Sequence, residues 1–191
     1  GKLLFPGDGS VPADRWSYIE SSASYSQFFE EGRTLGYGLA VNGLEGRLPL
    51  KLRYVEPGSP AAAAGLRRGD TVVSVNGVSA ASLVAGGDYS VLSPANEGET
   101  ITVELNTASG RRTASLVAAV FTLTPVATTR VLTLAVGKKA GYVMLKDFIP
   151  QAETPLANAF ASFRAAGATE LIIDLRYNGG GRISTSNARA S

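Results

Sequence analysis

Eight consecutive residues, Asp174-Leu175-Arg176-Tyr177-Asn178-Gly179-Gly180-Gly181, put a carboxylate, a guanidinium and three glycines at the end of the apolar run Leu171 to Leu175. Ligand-holding and catalytic groups collect at the carboxyl ends of strands in α/β folds, and glycines there permit a close backbone approach. Asp174 and Arg176 have a second reading as an ion pair that only fixes the loop. The glycines form no phosphate loop, because GxxxxGK[ST] is absent and the spacing fails the dinucleotide pattern. A second candidate is the tight run Leu35-Gly36-Tyr37-Gly38 leading into Leu39-Ala40-Val41. Small residues let backbone N–H groups turn inward to hold a terminal carboxylate, and the adjoining strand edge can pair with an extended peptide. An ordinary glycine turn is the plainer alternative. The third is Gly141 in Gly141-Tyr142-Val143, whose N–H would serve an acyl-transfer centre as oxyanion donor, against the simpler reading of a strand glycine. Ser184, Thr185, Ser186 and Ser191 have no convincing partner base, and Lys138, Lys139 and Lys146 act as bases only if desolvated. No nucleophile is assigned within the chain.

Composition narrows the chemistry further. The 191 residues contain neither Cys nor His, which removes thiol nucleophiles, disulfides, thiolate or histidine metal sites and any Ser-His-Asp relay from this stretch. No metal or cofactor is expected. Hydrophobic residues make up 45% and charged residues 18%, so the chain is globular, and no apolar run is long enough to span a bilayer. Eighteen Lys plus Arg oppose sixteen Asp plus Glu, and the basic pairs Arg67-Arg68, Arg111-Arg112 and Lys138-Lys139 are scattered along the sequence. Nucleic acid would favour a denser stripe interleaved with aromatic platforms, so it is not an expected partner. A first residue of Gly rather than Met suggests a trimmed start.

The elements that must position these residues follow from turns and periodicity. Asp14 to Glu31 carries Trp16, Tyr18, Ile19, Tyr25, Phe28 and Phe29, predicting one or two short helices with an aromatic face. Short strands are predicted at Leu39–Val41, Leu50–Val55, Thr71–Val75, Ile101–Leu105 and Thr113–Ala119. A short helix from Pro60 should end at Gly65, and an amphipathic stretch from Ser79 to about Leu92 is weakened as a helix by Gly86 and Gly87. Beyond Pro125 a hairpin is expected between Val131–Val136 and Ala140–Leu145. A helix capped by Thr154 with Pro155 at its first position then presents Leu156, Phe160 and Phe163 on one face. With the strand Leu171 to Leu175, that order gives an α/β layer.

Three runs, YVEPGSPAAAAGLRRGDTVVSVNG at 54–77, GYVMLKDF at 141–148 and LIIDLRYNGGG at 171–181, together resemble the carboxyl-terminal processing peptidases, or tail-specific proteases, of the S41 class. The first resembles a PDZ domain; DRWSYI at 14–19 agrees in its place ahead of it. The resemblance implies a mixed α/β fold with a PDZ-like β-rich domain at 34–122 inserted between an N-terminal helical segment at 1–33 and a partial S41-type peptidase core at 123–191. It implies a parent protein that recognises C-terminal tails of unfolded or processed proteins through the PDZ domain and cleaves by a serine-lysine acyl-enzyme route, in a periplasmic or otherwise extracytoplasmic place. Leu35 to Val41 would bind the peptide and Gly141 would be the oxyanion donor. Asp174, Arg176, Asn178, Gly179 and Gly180 would shape the core. In that family the serine and its lysine lie downstream of DLRxNGGG, so this chain is expected to end before both, to bind peptide without cleaving it, and to leave apolar surface exposed in 123–191. The alternative is a noncatalytic PDZ scaffold with a degenerate core.

Overall fold

Three helices of this chain start from a serine that caps them. The computed structural model describes residues 21–43 and 46–187, so the predicted helical positions Trp16, Tyr18 and Ile19, the run 14–19 and Ser191 lie outside the described residues. α1 (Ser22–Phe29) is capped by Ser21, whose Oγ accepts from the Ser24 N–H. β1 (Arg33–Gly36), β2 (Leu39–Val41) and β3 (Leu52–Val55) follow. Ser59 caps α2 (Pro60–Ala63), and Pro60 costs nothing in a first turn whose N–H groups lack intrahelical acceptors. β4 (Thr71–Val75) and β5 (Val78–Ser79) enclose the turn Asn76-Gly77, in which both residues take positive φ as a tight hairpin requires. Ser79 caps α3 (Ala80–Gly86), and left-handed Gly87 ends it by donating to the Leu83 and Val84 carbonyls. The glycines therefore terminate the predicted amphipathic stretch, and Ser90–Leu92 forms a separate 3-10 turn.

β6 (Thr100–Thr107), β7 (Gly110–Val117) and β8 (Ala119–Thr122) complete the β-rich module. Its strands pair as β5-β4-β6-β7, β2-β3 and β1-β8. Leu50, Leu52, Val75, Val103, Leu105 and Leu116 form its core, with the Tyr37 side chain packed among them. Leu35 and Gly36, expected to open the tight run Leu35–Gly38, instead end the strand β1, because β8 supplies a partner from the far end of the module.

The second unit holds β9 (Val126–Thr133), β10 (Lys139–Leu145), α4 (Glu153–Ala165), β11 (Glu170–Asp174) and α5 (Ile183–Asn187). β10 is the middle strand, antiparallel to β9 and parallel to β11. The hairpin starts earlier than expected, since the ladder with β10 reaches Val126 opposite Leu145, while Ala135–Gly137 leaves the strand as a 3-10 turn. α4 begins at Glu153 rather than after a Thr154 cap; Pro155 is tolerated because it still lies in the first turn. Leu156, Ala159 and Phe163 are buried on one face, Phe160 half so. Burying Phe163 contributes about 1.5–3 kcal/mol. β11 leaves Leu171, Ile172 and Ile173 exposed, and its edge away from β10 is unpaired among the described residues.

A buried ion pair joins the two units. The Lys146 ammonium, after β10, contacts the Glu56 carboxylate after β3, with side chains only 6% and 8% exposed. The second Glu56 oxygen accepts from the Thr124 N–H at 2.6 Å. Lys146 also stands 4.3 Å above the Tyr54 ring. Burial, then the charges of Glu56 and Asp147, push the Tyr54 hydroxyl upward. Removing one partner of such a pair leaves an uncompensated buried charge. Lys146→Met is therefore expected to cost about 3–5 kcal/mol in urea unfolding and to speed hydrogen exchange at Thr124. Adding Glu56→Gln, which keeps an acceptor for Thr124, should recover most of the loss; an unchanged midpoint and unchanged Thr124 protection in the single variant would show that the pair does not hold the junction.

Beside this pair, burial raises the Asp147 carboxyl, Lys146 opposes the shift and Glu56 adds to it. A carboxyl raised in the folded state contributes stability that is present below its unfolded pKa of about 3.9 and lost as pH rises through the folded value. Asp147→Asn should accordingly raise the urea midpoint at neutral pH, with the gain fading as the solution is acidified below that window. A variant no more stable than its parent at neutral pH contradicts the assignment.

Candidate functional site

The run from Leu35 to Val41 connects two strand pairs. β1 ends at Gly36 opposite Ala119, and β2 begins at Leu39 opposite Val55. Between them the Tyr37 side chain is 2% exposed, which pushes its hydroxyl pKa up, with Glu99 adding to the effect. Gly38 has φ +79°, and a Cβ there would lie 2.0 Å from that of Ser59, so no other residue fits. The Tyr37 carbonyl accepts from the Ala61 N–H at 2.9 Å, and the Gly38 carbonyl from the Glu56 N–H at 2.8 Å and from Ser59 Oγ at 3.4 Å. Both carbonyls are thus tied to α2 and its cap. Their own N–H groups meet no acceptor among the described residues. Among the described residues β2 is paired on one edge only, and Leu35, Leu39, Val41 and, from α3, Val84 pack half-buried against the core. Gly36 and Gly38 are half-exposed rather than sealed beneath the fold.

At the end of β11, the Asp174 carboxylate accepts from Arg176 Nε, from Arg176 Nη2 at 2.5 Å and from the Tyr142 hydroxyl at 2.6 Å. Arg176, then Tyr142, hold this carboxyl well below the usual range. The pair is only half buried, since the Arg176 side chain is 61% exposed. Asn178 and the glycines are stitched to the chain after β10. Asn178 Nδ2 donates to the Leu145 carbonyl, its Oδ1 accepts from the Gly180 N–H, and the Gly179 N–H donates to the Lys146 carbonyl. A Cβ on Gly181 would sit 2.4 Å from the Phe148 carbonyl oxygen, the close approach that makes glycine necessary there.

Gly141, expected as a backbone oxyanion donor, lies within β10. It stands in the middle strand opposite Val131 and Leu171, where each N–H faces a neighbouring strand. A Cβ would meet the Phe163 ring at 2.3 Å, so packing of α4 demands the glycine.

Three residue pairs escaped the sequence reading: Glu56 with Lys146, Tyr54 with Tyr177 at 5.6 Å between ring centroids, and Arg68 with Tyr177, by a 2.6 Å hydrogen bond and by its position over the ring. Glu56 and Lys146 both lie inside the runs quoted for the family, but spacing gives no signal for a contact across 90 residues.

Comparison with known proteins matches two stretches of the chain. The PDZ domain model matches residues 52–105, and the Peptidase family S41 model matches residues 139–191. The carboxyl-terminal-processing protease of Picosynechococcus sp. is 30% identical over 164 residues, covering 78% of this chain and 36% of that relative. The Na(+)/H(+) exchange regulatory cofactor NHE-RF2 of Oryctolagus cuniculus is 58% identical over 43 residues, covering 22% of this chain and 14% of that relative. The chain thus spans well under two thirds of the length of these relatives. Among solved structures, an S41 protease from Bacteroides fragilis NCTC 9343 superposes with a TM-score of 0.54 at 24% identity, over 83% of this chain and 44% of that one. The photosystem II D1 C-terminal processing protease gives 0.51 at 27% identity, over 81% and 42%. The mixed α/β chain therefore carries a PDZ domain followed by a segment of peptidase family S41.

Proposed function

We propose that the chain is the tail-recognising part and the first part of the core of a serine-type endopeptidase, with domains at 1–33, 34–122 and 123–191. One observation carries the recognition step. The carbonyls of Tyr37 and Gly38 are tied inward while their N–H groups are left without acceptors, beside the unpaired edge of β2. Such N–H groups accommodate a carboxylate, and a strand edge adds the backbone of an extended peptide. The C-terminal tail of another protein supplies both features. Leu35, Leu39, Val41 and Val84 offer apolar contact to its last side chain. Ala40 takes part through its backbone.

The catalytic step belongs to the parent protein. Its serine attacks the peptide carbonyl after a neutral lysine has taken the hydroxyl proton, giving an acyl-enzyme that water then hydrolyses. Lys146 is unsuited to that role, since its ammonium is spent on Glu56. Asp174, Arg176, Asn178, Gly179 and Gly180 hold the loop after β11 in shape. An oxyanion role for the Gly141 N–H stays outside this reading. No cofactor is required by it. The family points to an extracytoplasmic site of action, the periplasm being the specific proposal.

An apolar-ended peptide with a free carboxylate should bind this chain at least about tenfold more tightly than its amidated form, as charge-assisted hydrogen bonds of roughly 1.5–3 kcal/mol require. Equal binding of the two forms to folded protein would remove the carboxylate assignment. The parent should cleave an unfolded reporter, more slowly when the reporter's C-terminus is blocked; a parent that binds tails yet leaves the reporter whole would be a scaffold instead. Gly141→Ala is expected to destabilise by about 1–3 kcal/mol through overpacking. Phe163→Leu in the same chain should return part of that loss if packing is the glycine's purpose, and none of it if packing is not.

A further inference from the structure

Positive charge gathers at the seam between the two units. A cleft of about 550 Å³ lies there, with Tyr54, Arg67, Arg68, Met144, Arg176 and Tyr177 among its walls. A second hollow of about 440 Å³ shares Arg68, Arg176 and Tyr177 with it and extends to Lys51 and Arg53. No Asp or Glu lines either hollow. Arg176 is neutralised by Asp174, but among the described residues no ion pair reaches Lys51, Arg53, Arg67 or Arg68. Four like charges around one trough repel one another, and an anion laid along it relieves that repulsion.

We infer that this trough binds an acidic stretch of polypeptide, an extended segment of a partner protein bearing several Asp or Glu side chains. The cations are strung along two connected hollows rather than aimed at one focus, as a single phosphate would require. An extended chain advances about 3.3 Å per residue, so successive carboxylates meet successive cations. Lys51, in an isolated bridge just before β3, and Arg53, within it, are two residues apart and so point to one face. Nucleic acid is disfavoured because the Tyr177 ring is already occupied, by Tyr54 at 5.6 Å and by the Arg68 guanidinium at 5.9 Å, leaving no open platform for a base. Arg68 is fixed as well by its 2.6 Å hydrogen bond to the Tyr177 hydroxyl, which sets its charge in place before any ligand arrives. The trough uses neither the Tyr37 nor the Gly38 N–H, so it is separate from the carboxylate cradle and does not depend on the peptidase reading.

The test is fluorescence anisotropy of the whole chain with a labelled oligoglutamate amidated at its C-terminus, so that the cradle contributes nothing. Binding should weaken as salt is raised and should fall at least about tenfold in Lys51→Glu/Arg53→Glu, whose exposed side chains have no ion-pair partner to lose. Lys138→Glu/Arg164→Glu makes the same change of net charge at the ends of β10 and α4 remote from Thr128 and Met144, and should bind as the parent does. Absence of oligoglutamate binding overturns the inference, as does an equal loss in both double variants. Binding of a single-stranded oligonucleotide where oligoglutamate fails overturns it too. An apolar peptide with a free carboxylate, measured on the same variants, reports the cradle independently, so either site can fail without the other.

Discussion

A lysine and a glutamate taken out of water together determine how the two halves of this chain meet. Desolvating either ion alone costs several kcal/mol, so the junction is favourable only when Lys146, Glu56 and the Thr124 N–H are all in register. A purely apolar contact between the units would tolerate sliding. This one does not, because a shift of an ångström or two strands both charges. Tyr54 adds the face of its ring to the cation and so belongs to the same arrangement. The directional pair selects one relative placement of the PDZ domain and the S41 segment, and the seam with its cationic trough exists only in that placement.

The same demand for a unique arrangement appears at smaller scale around Gly38. Ser59 does two things there: its hydroxyl caps α2 by accepting from the Ala62 N–H, and its Cβ occupies the space that any side chain at position 38 would need. Positive φ at Gly38 turns its carbonyl toward Glu56 and Ser59. The backbone polarity of the cradle is therefore set by an internal helix cap rather than by residues that touch a ligand. That explains why the sequence signal there is so slight. Two glycines flanking an aromatic residue occur in many turns, and the information that matters lies more than twenty positions away at Ser59.

Local chemistry was the most legible part of the sequence. Gly65 and Asn76-Gly77 end elements through backbone conformations that few other residues adopt, and the spacing of Leu156 and Phe163 identified the buried face of α4. What pairing dictates was less visible. β1 carries no strong strand pattern and exists because β8 lies beside it, and β9 extends back to Val126 because β10 offers a partner that far. At the site, the Asp174–Arg176 contact could be anticipated from two residues of separation, whereas Glu56–Lys146 could not. Nor did the sequence reveal that basic residues spread over 51–176 converge, since Arg67-Arg68 looks like one scattered pair among others until the fold brings Arg53 and Arg176 to it.

Glu56 also links features that would otherwise be independent. Its N–H donates to the Gly38 carbonyl in the cradle, and its carboxylate holds the Lys146 ammonium across the seam. The Lys146 carbonyl in turn accepts from the Gly179 N–H in the loop after β11. Three contacts through two residues thus connect the backbone that faces the open edge of β2 with the glycine loop of the S41 segment. Each link is a hydrogen bond or a charge pair with a defined direction, and the central one is out of reach of solvent screening. Displacing the Gly38 carbonyl therefore strains the position of the Glu56 backbone, and through the rigid ion pair that strain falls on the segment that supports Gly179 rather than being absorbed by a soft apolar interface.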